Sequence, residues 1–292
     1  MLPETMPVCP VRGSVIYPTM VMPIDAGRPI SIRAIDEALA RDRVLLIVSQ
    51  RDKEVETPRP SDLFEVGTAC NILKMRKNPD GSVQVLVQAF ARVRVREWLD
   101  LGDHLEARGE VLADEPGEPI LVKALVREVK DKFQALLKEG KYLAPEVAQF
   151  ILNLEDPSQL ADYVAFHMDF RLEDKQKVLE TANVAERLRA VLVLLEAELA
   201  LIETQRRIQQ QVKEEIDRNQ REYFLREQMK AIQRELHGEE GEQEVEEFRR
   251  KLEALDLPPV VRQEVERELN RFARMHPDSA ETATVRNYLD WL

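Results

Sequence analysis

The chain has 292 residues, of which 33% are charged and 5% aromatic, and its formal net charge is −12. This length suits two domains, and the acidic balance excludes the broad cationic surface that drives non-specific nucleic-acid binding. No stretch approaches the run of about 18 apolar residues that spans a bilayer, and the start carries no basic segment of a secretory signal. We therefore expect a cytoplasmic protein without a membrane partner.

The distribution of charge separates the chain into two parts. Residues 1–113 carry 15 Lys/Arg and 16 Asp/Glu, whereas residues 114–292 carry 27 and 38, so the first part is nearly neutral and the second is acidic.

Cys9 and Cys70 lie in apolar, strand-like segments, which favours buried free thiols over a disulfide. No Cys/His spacing typical of a metal site occurs, and we predict neither a metal nor a cofactor in this segment.

Residues 1–113 predict a small β lobe with one helix, because short β-branched runs alternate with Pro, Gly and Asp. The clearest element is a hairpin in which residues 69–77 and 82–98 flank Asn78-Pro79-Asp80-Gly81, a sequence suited to a tight reversal. A helix is expected over residues 31–39, with Ser31 as its cap and Ile32, Ile35 and Leu39 on one face.

Three arginines alternate with valines along the second strand of this hairpin. Arg92, Arg94 and Arg96 could form a strip that binds nucleic acid. In a nearly neutral lobe, however, a solvated strand face paired with carboxylates of neighbouring strands is the favoured interpretation.

Residues 114–119 have the composition of a linker, after which the apolar period changes from two to about 3.6. We expect a helical bundle over residues 120–182, with Asp156 and Pro157 opening one of its helices.

A long helix is predicted over residues 183–237, because no Gly or Pro interrupts it and Asn183 with Glu186 has capping-box spacing. Two apolar series follow it in coiled-coil steps: Leu188, Leu192, Leu195, Leu199 and Ile202, then Leu225, Met229, Ile232 and Leu236. At roughly 1.5 Å per residue the helix would be about 80 Å long, so we expect it to project.

Residues 238–292 are expected to form a further helical segment. Gly238 is read as a C-cap, residues 257–259 as a break between two helices, and Asp278 with Glu281 as the start of the last one. The chain ends at Trp291-Leu292 inside an apolar helical stretch, which suggests that more sequence follows in the complete protein.

Catalytic motifs are absent from the sequence. Gly140-Lys141 is followed by Tyr142 and lacks the upstream glycine of a phosphate-binding loop, and no Gly-x-Ser-x-Gly elbow occurs. The histidines at positions 104, 167, 237 and 276 stand in no catalytic pattern. We predict no catalytic residue and no enzymatic activity for this segment.

Three blocks in order resemble the amino-terminal region of Lon-type ATP-dependent proteases. They cover residues 10–35, residues 221–236, which begin Arg221-Glu222-Tyr223-Phe224, and residues 279–292. The resemblance implies an α+β fold, with a PUA-like β lobe, a helical bundle and the long helix. It also implies that the complete protein is a hexamer with an ATPase ring that uses ATP and Mg, followed by a protease domain with a Ser-Lys dyad. One departure is Cys9-Pro10-Val11-Arg12-Gly13, where the family more often has Leu-Pro-Leu-Arg-Asp.

The partners that the resemblance implies are unfolded or damaged proteins, whose recognition requires accessible apolar side chains. Our first candidate surface, the edge patch, consists of Tyr17, Pro18, Met20, Met22 and Pro23, because prolines disfavour internal pairing and methionines adapt to varied partners. The alternative is an edge strand whose methionines fill the core.

The second candidate surface, the helix patch, consists of Tyr223, Phe224 and Met229. Adjacent aromatics on a polar helix cannot both face one narrow seam, so one of them should be exposed. Contact between helices of neighbouring subunits is the alternative, and both roles can hold together.

Two other classes of function are compatible with parts of the sequence. One is a stand-alone PUA-like module that binds nucleic acid or a small ligand, for which a basic strip with stacking aromatics would be expected. The other is a structural coiled-coil adaptor, which would explain the heptads but not the β lobe.

Overall fold

A computed structural model describes residues 2–139, 143–255, 257–275 and 279–291, apart from the side chains of 233–242 and 280. The predicted α+β arrangement is confirmed: a β lobe precedes a series of helices, one of which is very long. The chain divides into two compact units, Met1–Gln205 and Arg206–Leu292.

The described residues form six strands and eight α-helices. The strands are β1 Met6–Val11, β2 Val21–Ala26, β3 Val44–Ser49, β4 Val66–Lys77, β5 Val83–Asp100 and β6 Leu105–Val111. The helices are α1 Pro29–Ala40, α2 Pro119–Lys138, α3 Pro145–Asn153, α4 Pro157–His167, α5 Leu172–Glu180, α6 Val184–Glu253, α7 Pro259–Phe272 and α8 Ala280–Asp290.

The β lobe is a sheet of order β2-β5-β4-β3-β1-β6 that closes on itself because the long strand β5 also pairs with β6. Strand β2 pairs only with the first part of β5 and so forms an edge. Strands β1 and β3 are parallel, and α1 lies in the crossover between β2 and β3. Alternating residues fill two apolar clusters on the two faces of the sheet, as the period of two in a strand requires.

The predicted hairpin is confirmed. Lys77 pairs with Val83 across the turn, and the amide of Asn78 donates to the carbonyl of Ser82 at 2.9 Å. Gly81 has a φ of 85°, a conformation that glycine adopts without steric cost.

The helix of the β lobe begins two residues earlier than predicted, and Ser31 is not its cap. Arg28 is the N-cap residue and Pro29 occupies the first turn, so Ser31 lies buried inside α1. Proline suits this position because its fixed φ matches the helix and its missing N–H would have no partner there. The predicted apolar face is confirmed, since Ile35 is buried and Ile32 and Leu39 pack beside it.

The helical bundle of the first unit is built from α2 to α5 and the start of α6 around one apolar cluster. Leu188 and Leu195 are buried in it, and Leu192, Leu199 and Ile202 pack at its margin. The predicted caps are confirmed: the Asp156 carboxylate accepts from the Gln159 amide at 2.9 Å, and Asn183 Oδ1 accepts from the Glu186 amide at 3.1 Å.

Helix α6 continues beyond the end at His237 that the glycines suggested. It runs through Gly238 and Gly241 to Glu253. A glycine inside a helix costs about 1 kcal/mol relative to alanine, which weakens a helix without ending it when the neighbours are strong helix formers such as Glu and Gln.

In the second unit, Phe248, Phe272 and Leu289 belong to a small core formed with α7 and α8. The hydroxyl of Ser279 caps α8 by accepting from the Glu281 amide at 3.3 Å. Asp278, which the sequence suggested as the start of this helix, lies outside the described residues.

The interpretation of Arg92 as part of a solvated strand face is wrong. Arg92 is buried and its Nη2 donates to both carboxylate oxygens of Asp162, at 2.5 and 2.6 Å, while Nη1 lies 3.2 Å from Asp114. Arg96, by contrast, is exposed and pairs with Glu110 as expected. Arg92 is buried because α4 and α5 contact the middle of β5, a tertiary contact that alternation along a single strand does not reveal.

A second buried arginine completes this network. Arg187 of α6 donates to Asp114 at 2.7 Å and to the Ser158 hydroxyl at 2.7 Å. Burial raises the pKa of Asp162 to about 6, against the opposing attraction of Arg92 and Arg187. The network therefore joins the sheet, the connecting segment and two helices by charge-assisted hydrogen bonds, with Arg92, Asp162 and Arg187 buried and Asp114 at its accessible edge.

The segment 114–119 connects the sheet to α2 without being a free tether. Besides the contacts of Asp114, the Glu115 amide donates to Ala182 and the Glu115 carbonyl accepts from Val184, both at 3.0 Å. A Cβ on Gly117 would come within 2.7 Å of Ala185 Cβ, so only glycine permits this approach. These contacts fix the β lobe against the helical bundle within the first unit.

Candidate functional site

The structure contradicts the exposure predicted for two members of the edge patch. Tyr17 is fully buried, and its hydroxyl donates to the Lys175 carbonyl of α5 at 2.8 Å. Met20 is buried in the same apolar cluster as the helical bundle. The loop before β2 therefore packs the sheet onto the helices, and neither side chain is available to a partner in this conformation.

The remaining members of the edge patch follow the alternation of β2. Met22 is partly buried against the core of the lobe, on the same face as Ile24, while Pro23 is exposed and Pro18 partly buried. Val21, which the sequence analysis missed, is 53% exposed. The signal was present, because residues 20, 22, 24 and 26 are all apolar and share one face, which leaves residues 21, 23 and 25 outside.

An apolar area does exist on the outer face of the lobe, but it is displaced from the predicted one. Pro23 pairs with Leu86, and Val21 pairs with Gln88 one step further along. Phe90 and Leu73 are also exposed on the neighbouring strands β5 and β4. We call the exposed residues Val21, Pro23, Phe90 and Leu73, together with the partly buried Leu86, the sheet patch; exposed apolar groups on adjacent strands are typical of interaction surfaces.

The helix patch is more exposed than predicted, since both adjacent aromatics are accessible where the sequence required only one of them to be. Tyr223, Phe224 and Met229 are 68%, 61% and 60% exposed, and Leu225 and Ile232 are exposed beside them. Since successive residues of a helix turn by about 100°, the three consecutive apolar residues 223–225 span about 200°, more than half of its circumference. This part of α6 thus offers apolar surface on several faces, unlike the single stripe of an ordinary surface helix.

A third group of aromatic side chains lies on the helical bundle and was not foreseen. Phe150 of α3 meets Tyr163 of α4 edge-on with 5.1 Å between ring centroids, and Phe166 meets His167 at 5.0 Å. Burial and the nearby Lys175 ammonium lower the pKa of His167, so its ring is neutral at pH 7. Phe150 is exposed, and the spacing of Tyr163, Phe166 and His167 at i, i+3 and i+4 was a signal that one helical face carries them.

The other histidine with described contacts has a structural environment. His104 is buried between Asp103, at 2.7 Å, and Glu106, at 3.2 Å, and Glu106 also pairs with Arg41 of α1 at 2.8 Å. Within the described ranges no group of three or more His, Cys, Asp or Glu side chains could hold a metal ion. The same residues include no helix whose length and apolar character would let it cross a membrane.

Comparison with known proteins identifies the family. The family model described as the ATP-dependent protease La (LON) substrate-binding domain matches residues 5–197. Lon protease 2 of Thermus thermophilus is 98% identical over 292 residues, which are all of this chain and 36% of that protein. Lon protease of Escherichia coli K12 is 39% identical over 287 residues, 98% of this chain and 37% of that protein.

A solved structure agrees with these matches. The N-terminal domain of Mycobacterium avium complex Lon protease superposes with a TM-score of 0.56 at 26% identity, and covers 66% of this chain and 98% of that domain. The chain spans little more than a third of the length of the full-length relatives. Because the family model covers more than half of the sequence, the chain belongs to the family of Lon protease substrate-binding domains.

Proposed function

We propose that this chain is the substrate-recognition and assembly portion of an ATP-dependent serine protease and that it binds exposed apolar segments of unfolded or damaged proteins. The observation that carries the proposal is the helix patch, in which Tyr223, Phe224 and Met229 are all more than half exposed. Burying a large apolar side chain releases roughly 1.5–3 kcal/mol. A helix that leaves three of them accessible is therefore suited to take up apolar segments of a partner.

The sheet patch and the aromatic group on the helical bundle support the same proposal. Both lie in the first unit, and both present exposed apolar groups, among them Val21, Leu73 and Phe90 on the sheet and Phe150 on the bundle. Several modest apolar surfaces suit a binder of diverse sequences, because no single pocket then selects one side chain.

The complete protein would supply everything else. We propose that it is a cytoplasmic hexamer, that ATP and Mg bind in an ATPase ring outside this segment, and that a Ser-Lys dyad there cleaves the client. This chain would itself contribute no catalytic residue. The helix patch can also contact a neighbouring subunit, so recognition and assembly need not use separate surfaces.

The competing functions are less well supported. A nucleic-acid module would need the arginine strip to be free, whereas Arg92 is buried on Asp162 and Arg96 pairs with Glu110. A purely structural coiled-coil adaptor would leave the sheet patch without a role.

The test measures capture of a permanently unfolded protein, reduced and carboxymethylated α-lactalbumin, by the 292-residue chain, with native α-lactalbumin as the comparison. We expect Tyr223→Ser/Phe224→Ser to weaken capture about tenfold, which corresponds to about 1.4 kcal/mol. A matched pair of exposed polar residues on the same helix, Gln209→Ser/Gln211→Ser, should leave capture unchanged. Equal affinity of the first variant and the parent would remove the helix patch from recognition, and equal binding of native and unfolded α-lactalbumin would refute the proposed function.

A further inference from the structure

The β lobe contains a cavity of about 340 Å³ between the segment that ends β1 and the second half of β2. This volume lies in the range of small-ligand pockets. Pro10 and Pro23 stand on its two sides. Because proline has no N–H, each of these two residues offers one donor fewer for strand pairing than any other residue would.

One wall of the cavity carries the guanidinium of Arg28, whose hydrogen-bond acceptors are all uncharged oxygens. Arg28 follows β2 and donates from Nη2 to the Pro10 carbonyl at 2.6 Å, from Nη1 to the Gln50 side-chain oxygen, and weakly to the Glu56 carbonyl at 3.5 Å. Gln50 is fully buried and is itself held by its amide, which donates to Val55 at 2.9 Å. The buried side-chain amide of Gln50 therefore holds the Arg28 guanidinium in place.

Arg28 and Arg12 bring two positive charges to the cavity, which favours the binding of an anion. Burial lowers the pKa of Arg28, and the positive charge of Arg12, which also lines the cavity, lowers it further, against a smaller opposing attraction from the Glu56 carboxylate. Arg12 is paired at the surface with Glu56 at 3.1 Å. Asp25 also lines the cavity, but its carboxylate accepts from Gln84 of β5 at 2.8 Å. A half-buried guanidinium with neutral partners gains a charge-assisted hydrogen bond when a carboxylate arrives.

The rest of the lining suits an apolar side chain. Val11, Ile16, Met22 and Ile24 form the walls, and Cys9 lies beside Ser31 at the buried end. Burial raises the pKa of the Cys9 thiol to about 11, so this end of the cavity is uncharged at pH 7. A ligand that combines one carboxylate with an adjacent apolar group would match the site.

The hydrogen bond between Arg28 and the Pro10 carbonyl favours a terminal carboxylate over one within a continuous chain. It spans from the end of β2 to the Pro10 carbonyl of β1, one wall of the cavity to the other. A polypeptide that continues through the cavity would have to break this hydrogen bond. A polypeptide that ends in the cavity could leave it intact and place its terminal carboxylate beside Arg28. We propose that the cavity binds the carboxyl terminus of a polypeptide, with the terminal carboxylate on Arg28 and Arg12 and the last apolar side chain against Val11, Met22 and Ile24.

This proposal rests on the proposed function and adds to it: a substrate with a free apolar carboxyl terminus has one more point of attachment than an internal segment. Capture through the chain end is a recognised mode of peptide binding. It would orient a substrate by its carboxyl end while other apolar segments bind elsewhere on the chain.

The experiment compares two fluorescent apolar decapeptides of one sequence, one with a free carboxyl terminus and one with a terminal amide, by anisotropy with the 292-residue chain. We expect the free acid to bind about tenfold more tightly, the effect of one charge-assisted hydrogen bond. Arg28→Met should reduce the affinity for the acid to that for the amide. Arg33→Met, at an exposed arginine of α1 outside the cavity, should leave the preference intact.

Each outcome separates the two proposals. Equal binding of acid and amide by the parent would overturn the carboxylate site while leaving recognition of apolar segments in place. Binding of neither peptide would count against the proposed function itself. Should Arg28→Met fail to fold by circular dichroism, Arg12→Met replaces it, because Arg12 lies at the surface and its loss should still weaken the preference.

Discussion

Removing Asp162 should destabilise the first unit more than any surface change, because the side chain balances two buried cations. Arg92 and Asp162 are 3% and 2% exposed and Arg187 is fully buried, so Asp162→Ala leaves both guanidiniums with Asp114 as their remaining carboxylate. Loss of one partner from a buried ion pair costs roughly 3–5 kcal/mol. For a unit of this size about 1 kcal/mol lowers the melting temperature by roughly 2–4 °C, so we expect a decrease of about 6–20 °C.

Thermal unfolding followed by tryptophan fluorescence measures this effect in the whole chain. Trp98 packs against the core of the β lobe and reports on the first unit, whereas Trp291 is almost fully exposed and should contribute a nearly constant background. Asp131→Ala, at an exposed position of α2, is the matched control and should change the free energy of unfolding by less than about 0.5 kcal/mol.

The free energy of unfolding of Arg92→Met, measured as a function of pH, provides a second test of the energy assigned to this network. The pKa of Asp162 is raised from 3.8 to about 6 by burial even with Arg92 in place, and in the variant only Arg187, at 3.9 Å, would still attract its charge. A carboxyl whose pKa is higher in the folded state contributes stability below its unfolded pKa and loses it as the pH rises through the folded value. The stability that the variant loses between about pH 4 and pH 6 should therefore continue to fall above pH 6, where the loss in the parent levels off. A flat profile, or an Asp162→Ala variant that melts with the parent, would show that the network does not carry the energy assigned to it.

Two further changes test how the fold is built. Gly67→Ala should destabilise the β lobe strongly, because the new Cβ would lie 2.5 Å from the Ile47 carbonyl oxygen, whereas Gly27→Ala enters open space and should be nearly neutral; urea midpoints compare them. Burial raises the pKa of Asp114, but hydrogen bonds from Arg187 and Ser158 outweigh it and hold the pKa below its usual 3.8. That contribution is present above pH 3.8 and lost as the pH falls through the lowered value, so Asp114→Asn should flatten the acid limb of stability measured between pH 2 and 5.

Local signals in the sequence predicted local structure well. Asn78-Pro79-Asp80-Gly81 specified the hairpin, and Asp156 and Asn183 marked the starts of two helices through their own side-chain hydrogen bonds. These features involve residues within a few positions of one another, so their physics is contained in the segment itself.

The failures concern contacts between distant segments. Arg92 reads as one member of a wet strand face, yet it contacts Asp162 of α4, 70 residues away. Tyr17 and Met20 were candidates for an accessible recognition surface, yet Tyr17 bonds to α5 and both side chains are buried in the apolar cluster of the helical bundle. Which face of a strand is covered depends on the elements packed against it, and no period in the strand specifies that. Exposure of at least one aromatic of the helix patch was predictable, because it follows from the adjacency of Tyr223 and Phe224 on a polar helix alone.

The middle of α6 obtains its order in a different way from its beginning. Around Leu188 and Leu195 the helix is held by a core, but every side chain from residue 206 to residue 232 is exposed. Helical order there must come from intrinsic propensity and from short-range pairs such as Gln210 with Glu214 and Lys230 with Glu227. The abundance of Arg, Glu and Gln in this stretch is what such a helix requires, and it leaves the rare apolar residues free to serve a partner instead of the fold.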